Sequence, residues 1–322
     1  MSGEAASTTG SAGTTGSAGT TGSGTPGTAG RVVELSAPPS ASALYGRAIA
    51  GSARAAVGRR SSVRPEDLPR TRLALRGVTP DAGHLTDYQH LLGEHADDVL
   101  PAGFVHVLAF PVATALLVRP EFPLPLLGMV HVANRVEQRR VLRLGDALDV
   151  EVHVRDLRAH RAGVTVDVVA EVSVDGGVAW EGVSTYLAKG IRLAGAERPE
   201  SERTPFEAPV PTGQWRLGAG EGRAYAAVSG DRNPIHTNRL AAKAFGFPRP
   251  IAHGMDSAAR ALAAVGPARG EAYRWDVEFA KPVLLPSTVA VRVAPESDGF
   301  DYAVWNPRKG TPHLTGRVTP LP

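Results

Sequence analysis

No cysteine occurs among the 322 residues, which excludes disulfides, thiolate nucleophiles, iron–sulfur clusters and Cys-ligated zinc. The chemistry must use carboxylate, imidazole, hydroxyl or backbone groups. A strong charge of either sign is also missing. Thirty-five Lys and Arg against 32 Asp and Glu leave +3, a surplus too small and too interspersed for a nucleic-acid-binding surface. No run of 18 or more apolar residues appears, so no membrane-spanning helix is expected. The first residues lack the basic and apolar regions of a secretory signal, and a cytoplasmic location is expected. A Gly-x-Ser-x-Gly elbow is absent as well, which removes a serine hydrolase of that type. What is present is ordinary for a globular chain, with 43% hydrophobic and 21% charged residues. The length exceeds what one core usually holds and argues for two folded units.

Residues 1–30 are almost entirely Gly, Ser, Thr and Ala, with TTGSAG at 8–13 and again at 14–19. Side chains so small and polar do not offset the entropy of ordering, and a flexible tail is expected. Deleting residues 1–30 should therefore leave melting temperature and activity unchanged; a large drop in the melt would show that the tail docks.

From Arg31 onward one order of elements occurs twice, and the domains are expected at 31–191 and 214–322 around a linker at 192–213. In the first, Val105–Val118 reads as a buried helix that Pro111 kinks or starts. Leu148, Val150, Val152 and Val154 alternate with polar residues, as in a half-buried strand. The alternation resumes from Val164 to Val174, and Asp175-Gly176-Gly177 is a hairpin turn into a third strand, Val178 to Ala188. In the second, Met255, Ala258, Ala259, Leu262 and Val265 have helical spacing before Gly266-Pro267. Alternating strands follow around Trp275, Val291 and Tyr302. A long apolar helix followed by an antiparallel meander, twice over, predicts an α+β fold of two antiparallel sheets that each wrap a helix.

Chemistry concentrates in YAAVSGDRNPIHTNRLAAKAF, residues 225–245, whose polar residues stand between a strand-like run, 225–229, and an apolar helix. Gly230-Asp231 and Asn233-Pro234 bend the chain sharply, and Asn238 is a candidate N-cap for a short helix that leaves His236 just outside it. Asp231 and His236 can then converge on one point, where a carboxylate and an imidazole sharing a water form an acid/base pair. Taken alone, the spacing fits turn formers and a surface histidine as well. The feature that favours chemistry is Ala252-His253-Gly254-Met255 at the start of the second helix. Unpaired N–H groups lie there, and a glycine lets a ligand approach the backbone closely enough to stabilise a thioester oxyanion.

Tyr225 through His236, followed six residues later by Ala242, resembles the hydratase motif of the MaoC-like (R)-specific enoyl-thioester hydratases, which have the hotdog fold. The resemblance places the catalytic pair on Asp231 and His236, the oxyanion glycine on Gly254 and a supporting role on Asn233. From about Arg31 to the C-terminus the chain resembles the actinobacterial two-hotdog subgroup, including Phe122-Pro123 and Val130-His131-Val132-Ala133-Asn134. The first half carries no GDxNPxH, so the resemblance implies a catalytically silent hotdog that widens the acyl pocket. The implied activity is reversible hydration of trans-2-enoyl thioesters and dehydration of (R)-3-hydroxyacyl thioesters in fatty-acid metabolism. No metal or other cofactor is expected, coenzyme A or acyl carrier protein entering only as part of the substrate, and a homodimer is compatible. A non-catalytic acyl-thioester-binding subunit and a thioesterase are the competing readings.

Other groups count for less. His90, Glu94 and His95 lack the spacing that puts two imidazoles on one helical face. Gly218, Gly220 and Gly222 fit no phosphate-binding fingerprint, and no helix is expected after them. His253 reads as packing or hydrogen-bonding support, and Trp275 and Phe279 as core strand residues. Lys243 and Arg249 either meet the phosphates of the carrier or are ordinary solvated charges.

Overall fold

The computed structural model describes residues 30–48, 61–200 and 205–322, so the expected tail lies outside it up to Gly30. The first half contains β1 (Val32–Leu35), α1 (residues 41–48), β2 (Ser62–Val63), β3 (Arg72–Val78), α2 (Ala82–Leu92), α3 (Ala102–Leu117), β4 (Met129–Gln138), β5 (Leu148–His160), β6 (Gly163–Val174), β7 (Gly177–Lys189) and β8 (Arg192–Leu193). The second contains β9 (Gly213–Leu217), α4 (Glu221–Ser229), α5 (Pro234–Thr237), α6 (Arg239–Ala244), α7 (Gly254–Val265), β10 (Tyr273–Phe279), β11 (Ser287–Glu296), β12 (Gly299–Trp305) and β13 (Pro312–Pro320).

The period-2 runs become strands for the expected reason. Leu148, Val150, Val152 and Val154 of β5 are buried while the polar residues between them are not. The turn between β6 and β7 has positive φ at Asp175 and Gly176, 53° and 79°. That is the pairing a two-residue hairpin requires and that Asp-Gly supplies at low cost. β6 departs from half-burial, because Asp167 on its other face is buried too. Arg158 grips that carboxylate with two hydrogen bonds, 2.6 and 2.9 Å, and the Thr185 hydroxyl donates to it at 2.7 Å.

The two expected sheets are halves of one. Eleven strands run in the order β1-β3-β5-β6-β7-β4-β10-β13-β12-β11-β9, and β4 pairs antiparallel with β10, placing Val136 opposite Trp275. Each of those strands would otherwise end its half as an edge with unpaired N–H and C=O groups, and joining them satisfies both. Within this sheet α3 packs on β3, β5, β6 and β7, and α7 packs on β11, β12 and β13. Each half thus wraps its own apolar helix. The helices approach at Gly103, where a Cβ would stand 3.3 Å from the Ala259 Cβ and 2.2 Å from the Tyr88 hydroxyl. One hydrophobic core therefore runs through both halves, with Phe104, Leu116, Trp275 and Leu262 all buried in it.

Two expectations about helices change. α3 continues past Pro111 rather than starting there, and the missing N–H leaves the Val107 carbonyl without its helical donor. The strand-like run at 225–229 is part of α4, which also means that a helix does follow the glycines at 218–222. Gly222, Tyr225, Ala226 and Ser229 form its buried face at helical spacing. Glu94 is held by Arg269 at 3.0 Å, which takes it away from His90 and His95 as a ligand.

Candidate active site

The loop between α4 and α5 is built by its own short-range hydrogen bonds. Gly230 ends α4 with φ 71°, a conformation glycine adopts without strain. Ser229 Oγ then accepts the Asp231 N–H at 3.2 Å, and Asp231 Oδ1 accepts the Asn233 N–H at 3.1 Å. Asn233 caps α5, its side chain accepting from Ile235 N–H, and Pro234 fills the first helical position. One turn of helix, α5, then presents His236, which lies just outside the helix that Asn238 caps, as expected. Asn238 caps α6 as expected, accepting from the Leu240 and Ala241 N–H groups at 2.8 and 3.0 Å.

Two carbonyls set the histidine tautomers. His236 Nδ1 lies 2.9 Å from the Ile251 carbonyl, which can only accept, so Nδ1 carries the proton and Nε2 keeps its lone pair. His253 Nε2 donates to the Asp231 carbonyl at 3.0 Å. The two rings stack, centroids 3.6 Å apart. Burial pushes His236 below the usual imidazole range, against the opposing pull of the Asp231 charge and the Ile251 carbonyl. His253 is pushed to about 3 by burial and by His236 beside it. Burial raises the Asp231 carboxyl, but His253, His236, the Tyr45 hydroxyl and the Asn233 N–H outweigh that and leave it below the ordinary carboxylate value. The combination at neutral pH is an ionised carboxylate beside a neutral imidazole with a free Nε2.

Ligand-type atoms of Asp231, His236 and His253 all lie within 4.8 Å of one another. His253 approaches the Asp231 carboxylate through Nε2, at 3.7 Å, and that nitrogen is the protonated one. In that tautomer Nε2 is a donor rather than a ligand.

Gly254 opens α7. As the first helical residue it has no intrahelical acceptor for its N–H, and none is found elsewhere among the described residues. The space where its Cβ would stand is filled by the Phe279 ring, 2.8–3.1 Å away. The glycine therefore admits an aromatic ring against the backbone, and Phe279, read from the sequence as core, lines the site. Trp275 is core as expected.

Asp231, His236 and Gly254 share one cavity of about 750 Å³ with His106, His131 and Tyr186 from the first half. The cations on its wall are Arg161, Lys189 and Lys281 rather than Lys243 and Arg249. Lys243 is exposed on α6, and Arg249 donates to the Pro286 carbonyl at 3.4 Å.

The MaoC like domain family matches residues 199–301. Over 259 residues the chain is 39% identical to 3-hydroxyacyl-thioester dehydratase X of Mycobacterium tuberculosis, covering 80% of this chain and 92% of that protein. The chain belongs to the MaoC-like dehydratase family. The crystal structure of HtdX from Mycobacterium tuberculosis superposes with a TM-score of 0.70 at 37% identity, covering 78% of this chain and all of that one. The (R)-specific enoyl-CoA hydratase of Aeromonas caviae is 37% identical over 82 residues, 24% of this chain and 61% of that one. The architecture of this MaoC-like chain is thus a double hotdog.

Sequence reasoning missed Tyr45, whose hydroxyl donates to Asp231 Oδ1 at 2.5 Å, and the cavity roles of His106 and Tyr186. Tyr45 left one signal, being the single aromatic residue in a stretch rich in small residues, 36–58. Gly222 was also set aside. A Cβ there would stand 2.1 Å from the His236 carbonyl oxygen, so α4 can lie against α5 only through a glycine. Gly222→Ala should cost about 1–3 kcal/mol of stability, the usual price of overpacking. It should also lower kcat by displacing His236; thermal melts and turnover on the same preparation check both.

Proposed function

We propose that Asp231 and His236 hold the water that adds to, or leaves from, C3 of an acyl thioester, while the Gly254 N–H receives the thioester oxygen. The reaction is reversible hydration of a trans-2-enoyl thioester to the (R)-3-hydroxyacyl thioester, in fatty-acid metabolism. In hydration, His236 Nε2 takes a proton from the water as its oxygen bonds to C3, and Asp231 stabilises the imidazolium. Negative charge gathers on the thioester oxygen at Gly254. The same proton returns to C2, which restores the neutral imidazole and collapses the enolate. The observation that carries this reading is the meeting, in one cavity, of an ionised carboxylate, an imidazole with a free Nε2 and a backbone N–H without an acceptor.

No metal or redox group is called for, because the thioester itself acidifies C2. The carrier, coenzyme A or acyl carrier protein, bears phosphates that suit Arg161, Lys189 and Lys281 at the cavity wall. A cytoplasmic location fits such a substrate, and no helix among the described residues is long and apolar enough to cross a membrane. A spectrophotometric assay with crotonyl-CoA tests the reading. Hydration removes the enoyl absorbance without releasing thiol. Thiol release would make the chain a thioesterase, and neither signal would leave a binding subunit.

A further inference from the structure

α1 reaches the site from the far end of the chain. Its Tyr45 hydroxyl donates to Asp231 Oδ1 across 186 residues of sequence. The same oxygen accepts the Asn233 N–H, so both lone-pair directions of Oδ1 are occupied by donors. Rotating the carboxylate would break both bonds. Oδ2 is then the oxygen left to hold a water, and it stands 3.7 Å from His253 Nε2.

We propose that Tyr45 is a positioning residue for the dyad, a phenol that saturates Asp231 Oδ1, locks the carboxylate rotamer and leaves Oδ2 as the working oxygen. This rests on the reading of Asp231 as part of the acid/base pair. Tyr45 remains a donor throughout, because burial and the Asp231 charge hold its hydroxyl far above its ordinary titration range. The titratable groups facing Asp231 are His236 of α5, His253 ahead of α7 and Tyr45 of α1, with Tyr225 of α4, Tyr186 of β7, His106 of α3 and His131 of β4 also within its field. Among the described residues, the groups that hold the carboxylate down are His253, His236, the Tyr45 hydroxyl and the Asn233 N–H. The phenol and the Asn233 N–H, both bonded to Oδ1, favour its ionised form. A segment remote in sequence from the motif thus becomes part of the site.

The test is Tyr45→Phe, which keeps the ring and removes only the hydroxyl, assayed with crotonyl-CoA across pH beside Asp231→Asn and the double variant. Loss of the donor should lower kcat roughly 10- to 100-fold, the scale set by slight misplacement of a reacting group, with KM little changed. Because a bond to the ionised form is lost, the Asp231 pKa must rise, and the steepest part of the acid limb, where Asp231 is protonated as well as His236, should move to higher pH. The double variant should be no slower than Asp231→Asn alone, since Tyr45 acts through that carboxylate. Wild-type turnover with an unmoved acid limb would overturn the Tyr45 assignment and leave the dyad intact. So would a loss that is uniform across pH and multiplies with Asp231→Asn, as expected of a merely structural tyrosine. An active Asp231→Asn would instead remove the dyad reading itself.

Discussion

Asp231→Asn and His236→Gln should each lower kcat on crotonyl-CoA by at least ~10²-fold, the scale on which a positioned acid or base acts, with melting curves close to wild type. Asparagine keeps an oxygen for the Tyr45 hydroxyl and the Asn233 N–H, and glutamine can still donate toward the Ile251 carbonyl. Neither change therefore empties the loop of its hydrogen bonds. What goes is the carboxylate charge in one variant and the Nε2 lone pair in the other. Because both groups act on one water, the double variant should be little worse than the worse single one.

The pH profile carries a sign that tests the same assignment. His236 works as neutral imidazole, and burial sets its pKa below the usual range. The rate should thus be flat through neutrality and fall only on the acid side of the ordinary imidazole range, as protonation removes the lone pair. The Asp231 charge holds the imidazole up. Residual activity of Asp231→Asn should then lose its acid limb at a lower pH than wild type, the reverse of the shift expected of Tyr45→Phe. Near-normal turnover by either dyad variant would falsify the pair.

The motif was legible because its chemistry is local. Asp231, Asn233, Pro234 and His236 lie within six residues, and their turn and cap hydrogen bonds are all made inside the segment. The buried face of α7 and the hairpin at Asp175-Gly176 were legible for the same reason, since a period of 3.6 or a two-residue turn is written in neighbouring residues. Three features were not. The bond from Tyr45 to Asp231 closes a loop of 186 residues, and nothing near Tyr45 says what its hydroxyl meets. The pairing of β4 with β10 joins strands from different halves, and each strand alone reads the same whether it ends a sheet or continues one. α4 was mistaken for a strand because a short run such as Tyr225–Ser229 carries too few turns to separate the two periods. Only its buried face, which includes Gly222 against the backbone of His236, shows the helix.

Gly254→Val should lower kcat/KM by something like 10²–10³-fold, the cost typical of losing one oxyanion donor. A backbone N–H cannot be deleted by changing a side chain, so steric access is the available lever. The valine Cβ would stand 2.8 Å from the Phe279 ring edge, and the ring must turn away, at a cost of about 1–3 kcal/mol for overpacking. Phe279 lines the cavity and lies 4.9 Å from the His131 ring, centroid to centroid. The branched side chain and the displaced ring together crowd the space in front of the donor. If Gly254 serves only to admit Phe279, the melt should fall while the rate per folded molecule stays near wild type. If its N–H holds the thioester oxygen, the folded fraction itself should be slow. Circular dichroism and thermal melts give the folded fraction. A folded Gly254→Val protein that hydrates crotonyl-CoA at near wild-type kcat/KM would remove the oxyanion role and leave the acid/base pair as the whole of the site.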